Sequence, residues 1–68
     1  MKSISGKAFC SVLERNGWKL IRVRGSHHVF ASPDGHNMTV VPVHENHDLK
    51  DGLLKHLLKH TGISLKNI

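Results

Sequence analysis

The stretch 18–43, WKLIRVRGSHHVFASPDGHNMTVVPV, decides the fold of this 68-residue chain. Residues 18–24 hold Trp18, Leu20, Ile21 and Val23 among long basic side chains, a composition that predicts a strand. Gly25-Ser26 breaks that run, and His28, Val29, Phe30 and Ala31 follow as a second predicted strand. Ser32-Pro33-Asp34-Gly35 is a turn signal, because proline presets φ and glycine tolerates φ > 0. Residues 37–43, with Met38, Thr39, Val40, Val41 and Val43, predict a third strand. Pro42 removes a ladder donor, which places it at an edge or near the strand's end.

Working outward, both flanks carry helical periodicity. Across residues 5–16, Phe9, Val12 and Leu13 share one face, flanked by Ala8 and Cys10, with Lys7, Ser11 and Glu14 opposite. Ser5 is the expected N-cap and Gly17 the expected stop. Downstream, residues 44–47 read as a polar loop and Asp48 as an N-cap, with Asp51 complementing the helix dipole. Leu53, Leu54, Leu57 and Leu58 form an apolar face, Lys55, His56 and Lys59 a polar one, and Gly62 ends the helix. Ile63 and Leu65 are expected to fold back onto the core, and residues 66–68 to fray. The order α-β-β-β-α predicts an α+β fold, a meander of three antiparallel strands with both helices on one face. The second sheet face is left bare, either as a docking surface for RNA or a protein or as a solvated face.

Length and composition bound what such a chain can do. One domain is expected over 1–68, with its core in about 3–64, and a chain this short buries only about 60% of its unfolded surface. Separate cofactor and substrate domains are excluded. The single cysteine, Cys10, rules out an internal disulfide and points to a reducing, cytoplasmic setting. Residues 1–7 are polar, unlike a signal peptide. No apolar run approaches the roughly 18 residues of a membrane span. Ten Lys and Arg against five Asp and Glu give a formal charge of +5, a field that favours polyanions, above all nucleic acid.

Gly25-Ser26-His27-His28 is the constellation that could carry chemistry. Arg22 and Arg24 precede it, so an imidazole here would meet a phosphate already held by guanidinium charge. Histidine gives and takes protons near neutral pH, as attack of a ribose 2′-OH on its own phosphate requires. Neighbouring strand residues point to opposite faces, so His27 and His28 cannot act side by side. Taken alone, the tetrapeptide also reads as a turn followed by ordinary strand histidines. Lys55 and Lys59, with Lys50 at the helix start, form a stripe that suits phosphate contact or simple solvation. His56 and His60 have metal-ligand spacing but no acidic or thiol companion, and His44 and His47 flank Glu45 in a polar loop; neither pair is taken as a metal site. Trp18 and Cys10 read as core residues. Paired carboxylates at helical spacing, a Gly-rich phosphate loop and a CxxC pair are all missing from the sequence.

The ordered set of short motifs resembles the HicA family of bacterial toxins over about residues 3–64. It runs from Ser5-Gly6-Lys7 and Asn16-Gly17-Trp18 through Arg22-Val23-Arg24-Gly25-Ser26-His27-His28 and Thr39-Val40-Val41-Pro42-Val43-His44. Lys50-Asp51-Gly52-Leu53-Leu54-Lys55, Leu57, Leu58 and Thr61-Gly62-Ile63-Ser64 complete it. The resemblance implies a fold like a double-stranded RNA-binding domain and metal-independent cleavage of mRNA, with no cofactor. It implies one essential histidine: His27, with His28 in reserve. Arg22, Arg24, Gly25, Ser26, Lys55 and Lys59 would then contact RNA. A HicB-like antitoxin is the implied partner, and the free chain is taken as a monomer. One departure is the segment His44-Glu45-Asn46-His47-Asp48, mildly acidic where the family is usually basic. The alternative from another class is a non-catalytic RNA-binding module of the same fold.

Overall fold

A computed structural model describes residues 4–44 and 47–64. The elements are α1 (Gly6–Arg15), β1 (Lys19–Arg24), β2 (His27–Ala31), β3 (Met38–Pro42) and α2 (Asp51–Thr61). The three strands form one antiparallel sheet in the order β1-β2-β3. The predicted α-β-β-β-α meander is therefore the observed fold, with boundaries within one to three residues.

α1 starts where Ser5, in extended conformation, accepts a hydrogen bond from the backbone N–H of Ala8 at 3.1 Å. It stops at Asn16, after which Gly17 turns the chain with φ +89°. Phe9, Cys10, Val12 and Leu13 are buried along one face as predicted, whereas Ala8 is exposed. The N-cap of α2 corrects the sequence expectation. Asp48 instead forms a bridge with Ser5, and Lys50 occupies the cap position without a side-chain hydrogen bond. Asp51 stands in the first turn, and Gly62 closes the helix with φ +73°.

The core joins both helices to one sheet face. Phe9 and Leu13 from α1 and Leu54 and Leu57 from α2 bury against Phe30 and Val41, with Ile4, Trp18 and Leu49 closing the edges. Ile63 packs against this cluster, while Leu65 and residues 66–68 lie outside the described part. α1 approaches the sheet closely at its first residue. A Cβ on Gly6 would stand 2.2 Å from the carbonyl oxygen of Pro42, so only glycine fits there.

Leu20, Ile21 and Val23 lie in the predicted strand β1, and every β1 residue is exposed. α1 packs against β1 and β3 and α2 against β3, and the β1–β2 register shifts between Leu20 and Arg22.

Candidate functional site

The β1–β2 hairpin closes through Gly25 and Ser26, between the facing pair Arg24 and His27. Gly25 has φ +57°, which the first central position of a two-residue hairpin loop demands. The loop is also tied to β3, because the backbone N–H of Val43 donates to the Ser26 carbonyl at 2.7 Å. The hairpin end is thus held from both sides.

Register then divides the side chains between the two faces. On the covered face, His28 stands between Val23 and Val41, and Phe30 between Leu20 and Thr39. On the open face, one row runs Arg24–His27–Pro42 and the next Arg22–Val29–Val40. Directly opposed residues on a sheet have Cβ atoms about 4.5–5.5 Å apart. The His27 ring therefore lies within reach of the Arg24 side chain, with Arg22 one row further along. His27 is exposed. His28 is half-buried, and its Nδ1 is buried without a hydrogen-bond partner among the described residues. The two adjacent histidines thus occupy opposite faces.

The structure gathers Arg22, Arg24, Gly25, Ser26 and His27 at one end of the open face. Lys55 and Lys59 do not join them. Both are exposed on α2, whose buried face packs on the other side of the sheet. What α2 does bring to the His27 end is its beginning. A shallow depression of about 680 Å³ is lined by Pro42, His44, His47, Asp48, Lys50 and Leu53, together with Leu49. His44, His47 and Lys50 thus stand near Pro42, the strand neighbour of His27, a proximity created by the fold rather than by any local motif.

The remaining titratable groups lie elsewhere. His60 Nε2 donates to the Met38 carbonyl at 3.0 Å, pinning the end of α2 to the start of β3. Its ring stacks on His56 with centroids 6.0 Å apart. Among the described residues no three His, Cys, Asp or Glu side chains converge as a metal site. Burial, reinforced by the negative charge of Glu14, pushes the Cys10 thiol up to about 11, so it is a core group and a poor nucleophile. In the β2–β3 turn, hydrogen bonds from the Ser32 hydroxyl and then the His36 backbone N–H hold Asp34 below the usual carboxylate range.

Residues 6–63 match the family model described as the HicA toxin of bacterial toxin-antitoxin, an interval that contains all five elements. The chain belongs to the HicA toxin family. It is accordingly the toxin member of a toxin–antitoxin pair, and a HicA toxin implies an antitoxin as partner. A search of curated proteins found no match. Among the described residues of this HicA chain, no helix is long and apolar enough to cross a membrane.

Proposed function

We propose that this HicA-family toxin is an mRNA-cleaving endoribonuclease that works in the cytoplasm without a metal, with His27 as general acid or base. The observation that carries this reading is the open-face row Arg24–His27–Pro42, an exposed imidazole directly opposite a guanidinium. Arg24 and Arg22 hold the scissile phosphate and its neighbour by charge-assisted hydrogen bonds, while the Gly25-Ser26 turn brings the backbone close. His27 exchanges a proton with the ribose 2′-OH or with the leaving 5′-oxygen. His28, the reserve candidate, faces the core and supports the strand rather than the reaction. Lys55 and Lys59 act at longer range, on phosphates that pass over α2. A HicB-like antitoxin would silence the toxin by covering the open face.

The test is direct. Purified protein should cleave RNA in EDTA, and His27→Ala should reduce the rate by about 10²–10⁴-fold, the usual worth of a general acid or base. The variant should keep the wild-type circular dichroism spectrum and melting temperature. Cleavage that survives His27→Ala removes the assignment, and RNA that is bound but left intact by the wild type removes the enzyme.

A further inference from the structure

One imidazole can serve only one end of the phosphodiester exchange. In-line attack sets the entering 2′-oxygen and the departing 5′-oxygen on opposite sides of phosphorus. Efficient cleavage therefore wants a second proton-transfer group on the same face as His27, displaced from it. Five other described histidines fail that requirement. His28 turns to the covered face. His60 is bonded to Met38 at the far end of β3 and His56 stacks on it. That strand has five residues, so the pair lies roughly 13 Å along it from the Pro42 end. His36 belongs to the β2–β3 turn. His47 lies beyond the strand extension, its backbone N–H donating to the His44 carbonyl at 2.9 Å.

His44 meets the requirement. Val43 continues the ladder past Pro42 through its bond to Ser26, and its side chain packs against the core. β3 ends at Pro42, and a strand alternation continued through Val43 would return the next residue, His44, to the open face that carries Pro42 and His27. His44 is exposed and lines the depression beside Pro42. Pro42 is directly opposite His27, so on a ladder continued to His44 the two histidines would be diagonal neighbours. Such neighbours have a spacing of about 7–8 Å, within reach of aromatic side chains. Two rings at that spacing leave room for a phosphate between them. Among the described residues, the charged and titratable groups that line the depression with His44 are His47, Asp48 and Lys50, while Arg24 and His27 form the facing pair of the hairpin beside Pro42.

We propose that His44 is the second proton-transfer group of this site, an inference that rests on the ribonuclease reading above. One imidazole of the His27–His44 pair accepts the 2′-OH proton as the 2′-O–P bond forms. The other, as imidazolium, gives its proton to the 5′-oxygen as the P–O5′ bond breaks. The products are a 2′,3′-cyclic phosphate and a 5′-hydroxyl. No further reactant is consumed, and the exchanged protonation states of the two rings are reset by solvent.

The experiment is a pH profile of kcat/KM on a short RNA in EDTA for wild type, His27→Ala, His44→Ala and His47→Ala. It is paired with an aryl ester, uridine 3′-(p-nitrophenyl phosphate), whose leaving group departs without a proton. Wild type and His47→Ala should give bell-shaped profiles. His44→Ala should fall about 10²–10⁴-fold and lose one limb of the bell. On the aryl ester, either His27→Ala or His44→Ala should recover most of its lost rate, and the one that does served the leaving group. A His44→Ala enzyme that keeps both limbs, or recovery of neither variant on the ester, overturns the proposal. If His27→Ala is inactive while His44→Ala cleaves normally, the ribonuclease reading stands and His44 falls. If the wild type does not cleave, the earlier reading fails first.

Discussion

At His28 the ring is set between Val23 and Val41 on the covered face, with Nδ1 buried and without a partner among the described residues. A buried polar atom left unsatisfied costs about 1–3 kcal/mol, and an apolar group of similar shape avoids that cost. His28→Leu should therefore melt at or above the wild-type temperature, a gain of about 1 kcal/mol corresponding to about 4–8 °C in a domain of this size. A clear fall in calorimetry would mean that Nδ1 has work to do. The opposite faces of His27 and His28 were legible from strand alternation. Which histidine took which face was not, because that depends on the register set by the Gly25-Ser26 turn. Cys10 supports a second prediction at this scale. Its thiol has an ordinary value of 9.0 and is raised to about 11 in the fold. Below about pH 9 it is protonated in both the folded and unfolded states and adds no pH dependence. From about 9 to 11 the unfolded chain releases the proton while the folded one keeps it, so stability declines as pH rises. Urea midpoints measured across that window should fall in the wild type, and Cys10→Ala should flatten the part of the slope that belongs to the thiol.

At the scale of elements, the two helices begin differently. α1 has a capped N-terminus through Ser5, and Ser5→Ala should cost about 1 kcal/mol in chemical denaturation. α2 opens on Lys50 without a side-chain cap and carries Gly52 in its first turn, with open space where a Cβ would go. Gly52→Ala should therefore raise stability by up to about 1 kcal/mol, since the helix gains propensity and the new methyl meets nothing. A loss at that position would show that the start of α2 needs glycine for another reason. The helices were legible because their apolar spacing and stop glycines agree. The N-cap of α2 was not, because Asp48 is held by the bridge to Ser5, a contact between segments far apart in sequence. β1 was legible as a strand from Leu20, Ile21 and Val23, whereas its exposure depends on where α1 and α2 seat, which no local pattern encodes.

For the whole molecule, a charge of +5 is spread over two sides of a thin body. Arg22, Arg24 and His27 lie on the open sheet face, and Lys55 and Lys59 on the helical layer. RNA held at the hairpin cannot engage both sets equally. With a cleavage-deficient His27→Ala protein, anisotropy titrations across salt should show Arg22→Ala and Arg24→Ala each reducing the salt slope by about 1. Lys55→Ala and Lys59→Ala should change it less. Equal effects from both sets would mean that RNA wraps the edge of the domain. The basic character of the surface was visible in composition, and the Arg-rich strand before the histidines was visible in sequence. The separation of the two basic groups, and the arrival of His44 at the depression beside Pro42, required the sheet to be built.

Gly6 performs no chemistry, yet the end of β3 rests on its missing side chain. Among colonies surviving induction of this toxin, escape mutations should accumulate at Gly6 as well as at His27. Immunoblots would separate the two classes: His27 survivors keep normal amounts of protein, whereas Gly6 survivors are depleted by proteolysis. A genetic map of toxicity would then mark Gly6 as essential, and only protein abundance would reveal that its contribution is shape.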